Sequence, residues 1–103
     1  MYEVIYMKAD FEPWWMFEEW RDYVEQTKRF ETKREAATYY RALIEEWSER
    51  YEQKETRHVC FTAFWTKGEQ CFCDHCDDDL QIFHGLIVLK DGEPLRDDEQ
   101  LLK

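Results

Sequence analysis

TKREAATYYRALIEEWSERY, residues 32–51, is the stretch that decides the fold. Thr32 and Glu35 form a capping box, in which the threonine hydroxyl accepts a bond from the amide three residues later and the glutamate returns one to the cap. Beyond the cap, apolar side chains recur every three or four positions, which places them on one side of a helix. They are Ala36, Ala37, Tyr40, Leu43, Ile44, Trp47 and Tyr51. The sequence therefore predicts a helix from residue 33 to about residue 51 that covers a sheet.

The segments before this helix predict two strands and a connection rich in aromatic residues. Residues 2–8 (YEVIYMK) combine β-branched and aromatic side chains over a length typical of one strand. Residues 10–20 crowd six large apolar side chains around Pro13, which favours a collapsed loop or a single helical turn. Residues 23–30 are polar and mostly unbranched, so they indicate an edge strand.

Further strand segments follow the helix. They are residues 58–66, 70–73 and 86–89, and residues 93–95 are expected to add a short return strand. The Lys67-Gly68 pair is a turn signal, so we expect the first two to form an antiparallel hairpin. Asp77 or Asp78 is expected to cap a helical turn that runs to Phe83.

The predicted fold is α+β, with an antiparallel sheet of four to five strands and one long amphipathic helix packed on one face. A chain of 103 residues has the length of one domain, and we assign residues 1–96 to it. Residues 97–103 are polar and are expected to form a C-terminal tail.

The charge balance argues against several classes of partner. Twenty-four acidic and fourteen basic side chains give a net charge of −10, which repels nucleic-acid phosphates. Lys28, Arg29, Lys33 and Arg34 form the one compact basic cluster, which glutamates interrupt as on a solvated helix start. No apolar run approaches the ~20 residues that span a bilayer, and the first residues do not read as a secretion signal. We therefore expect a cytoplasmic protein with no membrane contact and no direct nucleic-acid binding.

Three of the four cysteines are crowded into CFCDHC, residues 71–76. Two thiolates separated by two residues can hold one tetrahedral zinc ion, so Cys73 and Cys76 are half of a metal site. The nearest further donors are Cys71, His75 and His84, and His58 and Cys60 are more distant ones. A homodimer could instead join two such pairs across a symmetry axis. Zinc is accordingly the candidate cofactor.

The same cysteines have other interpretations. A redox dithiol is one, although Asp74, Asp77, Asp78 and Asp79 would disfavour the thiolate by charge repulsion. Packing as small apolar residues in a hairpin is another. The aspartates themselves could hold Ca²⁺ or Mg²⁺, but the spacing lacks the glycine and the final glutamate of an EF-hand loop.

The aromatic connection supplies the candidate binding surface. Its members are Trp14, Trp15, Phe17 and Trp20. Rings on loops anchor interfaces, and the neighbouring Glu12, Glu18 and Glu19 would favour a cationic partner. The alternative is that these rings close one end of the core.

Four segments carry a resemblance to a known family: DFEPWW at residues 10–15, AFW at 63–65, CDHCDDDL at 73–80 and KDG at 90–92. Over nearly its whole length the chain resembles the bacterial family called domain of unknown function 1033. The resemblance implies a small cytoplasmic protein with no established activity. The family pattern usually has another residue at the position of Cys71 and tryptophan at that of Phe72, so a site that needs Cys71 would not be a family property.

No catalytic residue is predicted. His58, His75 and His84 are not paired by any motif with a nucleophile and an acid, and three glycines do not supply a phosphate-binding loop. The favoured function is a small acidic cytoplasmic binding or regulatory module whose partner is a basic or aromatic-recognising protein. The alternative is a zinc-binding or thiol-redox protein that uses Cys71, Cys73 and Cys76. Acidic mimicry of a nucleic acid is a third hypothesis, which rests on charge alone.

Overall fold

The computed structural model describes residues 1–15, 18–58, 60–73 and 78–95, and for residues 70–73 and 78–80 it describes the backbone. The strands among these residues are β1 Tyr2–Ala9, β2 Val24–Phe30, β3 Gln53–Arg57, β4 Phe61–Trp65, β5 Gln70–Cys73, β6 Asp78–Gln81, β7 Phe83–Lys90 and β8 Glu93–Pro94. The α-helix, α1, is Lys33–Arg50. Two short 3₁₀ helices, Pro13–Trp15 and Trp20–Tyr23, lie between β1 and β2.

The predicted helix and its cap are confirmed. Thr32 has an extended backbone, and its hydroxyl oxygen accepts a bond from the Glu35 amide at 3.2 Å. The Glu35 carboxylate accepts a second bond from the Thr32 hydroxyl at 2.9 Å, rather than from the Thr32 amide that a capping box would use. The helix ends at Arg50, and Tyr51 is extended. The capping residues therefore set where α1 begins.

The main sheet is antiparallel and larger than predicted. Its strand order is β2-β1-β7-β4-β3, and β8 pairs with the end of β7. In the described part of the chain this sheet has six strands, slightly more than the four to five expected, and one α-helix is present as predicted. The sequence QKETR of β3 has no apolar residue, because this strand lies at the edge of the sheet with mostly exposed side chains. That is why the hydrophobic pattern did not predict it.

The predicted hairpin of residues 58–66 with 70–73 is wrong. β4 instead lies between β3 and β7, because its four buried residues need pairing partners on both sides. The Lys67-Gly68 turn is present, and Gly68 has the positive φ of 98° that this residue permits. It leads into β5, which pairs with β6 in a separate two-stranded sheet. Residues 78–81 are therefore a strand, not the helical turn that was expected.

The two faces of the main sheet have different covers. One face packs against α1, and we call it the helix face. Its residues are Val4, Tyr6, Thr62, Phe64, His84, Leu86 and Val88. The Trp47 ring of α1 contacts Tyr6, Phe64 and His84 on this face. The buried Tyr40 hydroxyl lies 2.7 Å from the Thr62 hydroxyl, so a hydrogen bond also fixes the helix to β4. Burial raises the pKa of Tyr40, which keeps its hydroxyl protonated.

On the opposite face, which we call the loop face, the sheet presents Ile5, Met7, Phe61, Ala63, Gly85 and Ile87, all of them buried. Pro13 packs here so closely that a Cβ on Gly85 would lie 2.8 Å from the proline Cβ. The Met7 side chain would be 3.1 Å away from the same point. The connection between β1 and β2 is thus the cover of the loop face. Among the described residues, no helix combines the length and apolar character needed to cross a membrane.

Candidate functional site

The predicted aromatic binding residues do not share one environment. Trp20 is buried, at 8% exposure, and Trp14 is partly buried with its indole Nε1 shielded from solvent and without a hydrogen-bond partner in the part of the chain described. The Arg57 guanidinium of β3 lies 4.5 Å from the centre of a Trp14 ring. Trp15 is 55% exposed. Phe17 lies outside the described residues.

Several acidic and aromatic side chains of the β1–β2 connection are exposed. Tyr23 is 37% exposed and meets the Phe11 ring edge-on, with 5.1 Å between ring centres. The exposed members of this set are Asp10, Trp15, Glu18, Glu19, Asp22 and Tyr23, which we call the acidic–aromatic surface. Arg21 is the exposed cation of the same segment, and its guanidinium lies over the Trp20 ring at 4.6 Å. The surface therefore presents rings within an excess of negative charge.

The cysteine cluster is described only in part. Cys71 lies opposite Leu80 and Cys73 opposite Asp78 in the β5–β6 hairpin, whereas His75 and Cys76 lie outside the described residues. The hairpin is fixed at its base, where the Ile82 amide donates to the Glu69 carbonyl at 2.8 Å. The Gln81 side-chain amide donates to the carbonyls of Thr66 and Glu69. The zinc and thiol assignments to these cysteines stay predictions.

Within the described ranges, no three histidine, cysteine or acidic side chains converge as a metal site would need. Cys60 is buried and lies immediately before β4. His84, which was a candidate ligand, uses both ring nitrogens in hydrogen bonds to protein side chains. A metal ion at His84 would have to displace one of those bonds.

The side chains bonded to His84 form a constellation that the sequence analysis missed. The His84 Nε2 lies 2.8 Å and 3.1 Å from the two carboxylate oxygens of Glu69, and Nδ1 lies 2.9 Å from the Tyr6 hydroxyl. A carboxylate only accepts, so Nε2 carries the proton of the neutral ring. Nδ1 is then the acceptor, and the Tyr6 hydroxyl donates to it. Tyr6, His84 and Glu69 thus form a hydrogen-bonded chain of hydroxyl, imidazole and carboxylate, which we call the Tyr6 relay.

Aromatic rings hold the imidazole of the relay in place. Tyr51 stacks on His84 with 4.4 Å between ring centres, and Trp47 approaches its edge at 6.5 Å. His84 is only 4% exposed. Burial raises the pKa of Tyr6 to about 12, and the neighbouring Tyr51, Glu25 and Glu69 act in the same direction against a weaker opposing effect of Arg50. The Tyr6 phenol therefore stays protonated at neutral pH.

One signal in the sequence points to this relay. His84 interrupts FHGLIVLK, an otherwise apolar strand, and a buried histidine there requires hydrogen-bond partners. The identity of the partners could not be predicted, because Tyr6 is 78 positions away and Glu69 lies beyond a turn whose pairing was predicted wrongly.

Comparison with known proteins identifies the family. The family model described as "Protein of unknown function (DUF1033)" matches residues 1–103. The chain belongs to the DUF1033 family. No curated protein and no solved structure matches this family member. The resemblance found in the sequence is therefore confirmed over the whole chain, and the site has to be interpreted from its own geometry.

Proposed function

We propose that this DUF1033 protein is a small acidic cytoplasmic binding or regulatory module whose partner is a basic protein segment. The observation that carries the proposal is the acidic–aromatic surface. Trp15 stays 55% exposed while its neighbours Pro13 and Trp20 are buried. A ring of this size usually packs inward, so its exposure among carboxylates favours a role in binding.

The chemistry of the surface selects for lysine and arginine. Glu18, Glu19 and Asp22 are exposed near Trp15 in the sequence and attract a cation, and the net charge of −10 acts in the same sense at longer range. A guanidinium over an indole ring gains about 0.5–1 kcal/mol at an exposed site. The same chain already contains two such pairs, Arg21 with Trp20 and Arg57 with Trp14.

The proposal is tested by titrating the protein with a fluorescent ten-residue oligoarginine peptide and following its anisotropy. A change of Trp15→Ala leaves the net charge unaltered, so a loss of affinity reports the ring and not the overall field. We expect the Kd to rise about tenfold, as for a residue at the centre of an interface. Oligoglutamate of the same length should not bind.

A matched pair of charge variants separates local from global attraction. Glu18→Gln with Glu19→Gln removes two charges from the acidic–aromatic surface, and Glu45→Gln with Glu46→Gln removes two exposed charges from α1. The first pair should weaken binding several-fold more than the second. Equal weakening by both pairs, or unchanged binding by Trp15→Ala, would contradict the proposal.

A zinc-binding or thiol-redox role for Cys71, Cys73 and Cys76 is the alternative proposal. The spacing of the cysteines supports it, because two thiolates separated by two residues suit tetrahedral zinc. Elemental analysis of protein purified without chelator tests it directly. Stoichiometric zinc that is lost in Cys73→Ser would support this role, and zinc well below one equivalent would exclude the metal form.

A further inference from the structure

The Tyr6 relay has the arrangement of an activated nucleophile. In such sites a hydroxyl donates to an imidazole, and a carboxylate on the far nitrogen fixes the ring and stabilises its protonated form. Both hydrogen bonds are present here, at 2.9 Å from Tyr6 to Nδ1 and 2.8 Å from Nε2 to Glu69. We propose that this relay is a reactive site, in which the Tyr6 oxygen attacks a sulfonyl, acyl or phosphoryl group while His84 takes its proton.

The two partners of Tyr6 are fixed before any ligand arrives. His84 stacks on the Tyr51 ring, meets the Trp47 ring edge-on and is buried in the core. Glu69 is held through its backbone, since its amide donates to the Thr66 carbonyl at 3.0 Å and its own carbonyl accepts from Ile82. His84 and Glu69 are thus positioning residues, and Tyr6 is the group that meets the ligand.

The Tyr6 side chain is partly exposed, and it lines a small cavity of about 30 Å³ with Val4, Lys28, Leu43 and Trp47. Tyr39 borders this cavity and also an open groove of about 500 Å³ beside α1. The lining of this cavity is mainly apolar and aromatic, so the ligand class is a small apolar compound that carries the electrophilic group.

The proposed step is balanced in atoms and charge. With a sulfonyl fluoride, the bond from the Tyr6 oxygen to sulfur forms, the sulfur–fluorine bond breaks and fluoride leaves. The phenol proton moves to Nδ1 of His84, and the resulting imidazolium faces the Glu69 carboxylate. The relay does not require a phenolate beforehand, because the base removes the proton as attack proceeds. A protonated phenol in the resting protein is therefore compatible with this step.

The proposal is tested with phenylmethanesulfonyl fluoride, with the modified tyrosine and its rate of labelling determined by mass spectrometry. We expect Tyr6 to be labelled at least tenfold faster than exposed Tyr23, which serves as an internal reference. General-base assistance is worth roughly 10²–10⁴ in rate. His84→Asn should therefore lower labelling of Tyr6 about 100-fold and leave Tyr23 unchanged.

A second variant decides the case if His84→Asn fails to fold. Glu69→Gln retains an acceptor oxygen for Nε2 but removes the negative charge, and its side chain is 35% exposed. It should slow labelling of Tyr6 at least tenfold while circular dichroism and the melting temperature stay close to those of the parent. Labelling of Tyr6 no faster than Tyr23, or a rate that Glu69→Gln leaves unchanged, would overturn the proposal.

Discussion

The helix face and the loop face of the sheet are covered by different means. On the helix face, α1 brings the Trp47 ring and a Tyr40–Thr62 hydrogen bond onto the strands. The loop face is covered by the irregular connection between β1 and β2, in which Pro13 packs against Gly85. The helix leaves no large side chain of its apolar stripe exposed, whereas the connection buries Trp20 and leaves Trp15 exposed. The comparison indicates that the connection covering the loop face has an aromatic side chain, Trp15, that does not pack into the core.

The largest effect is expected from a change that removes the main ring of the helix face. Trp47 is 7% exposed and meets four other rings, so Trp47→Ala should lower the free energy of unfolding by about 3–5 kcal/mol. Trp15→Ala is the matched control and should stay within about 0.5 kcal/mol. Urea denaturation measures both. If both variants lost a similar free energy of unfolding, Trp47 could not be called a structural ring and Trp15 a surface ring.

A smaller effect is expected from crowding the loop face. The added methyl of Gly85→Ala would lie 2.8 Å from the Pro13 Cβ, so this variant should lose about 1–3 kcal/mol of stability. It should also weaken oligoarginine binding, because the Pro13–Trp15 helix must move. Combining it with Pro13→Gly removes the clash, and the two losses should then sum to more than the loss of the double variant. If the losses of stability from Gly85→Ala and Pro13→Gly were strictly additive in the double variant, the added methyl group would not clash with Pro13.

The smallest effect concerns the pH dependence of the helix face. The pKa of Tyr6 is about 12 in the folded protein against 10.0 ordinarily, so the folded state holds this proton more tightly than the unfolded state. Its contribution to stability is complete below pH 10 and is lost as the pH rises from 10 to 12. Between pH 10 and 12 the stability of Tyr6→Phe should fall less steeply than that of the parent protein. From pH 7 to 9 the stability of both proteins should follow the same trend. Melting temperatures at each pH provide the measurement, and identical alkaline slopes would contradict the expectation.

The parts of the fold that follow a local rule could be predicted from the sequence. The cap at Thr32, the apolar stripe of α1 and the turn at Asp91-Gly92 are each encoded within a few residues. The partners of β4 could not be predicted, because strand pairing depends on which distant edges remain free. The turn signal at Lys67-Gly68 was real, but it started a second, smaller sheet.

The candidate sites could also be predicted from the sequence only in part. The aromatic segment was recognisable from composition, but the sequence did not show that Trp14 and Trp20 pack inward while Trp15 stays exposed. The Tyr6 relay depends on β1 and β7 being neighbours, in a register that pairs Lys8 with His84. No local pattern carries that information. The one sequence feature that indicates the relay is a histidine within a mostly apolar strand.

The acidic–aromatic surface is tested directly by a titration of ¹⁵N-labelled protein with oligoarginine, followed by heteronuclear NMR. We expect amide shifts to change mainly in residues 10–23, since the acidic–aromatic surface lies there. The acids of α1 that line its outer side, Glu45, Glu46 and Glu49, provide the comparison at the same net charge. Shifts that are as large on α1 as in residues 10–23 would contradict a dedicated binding surface on the β1–β2 connection.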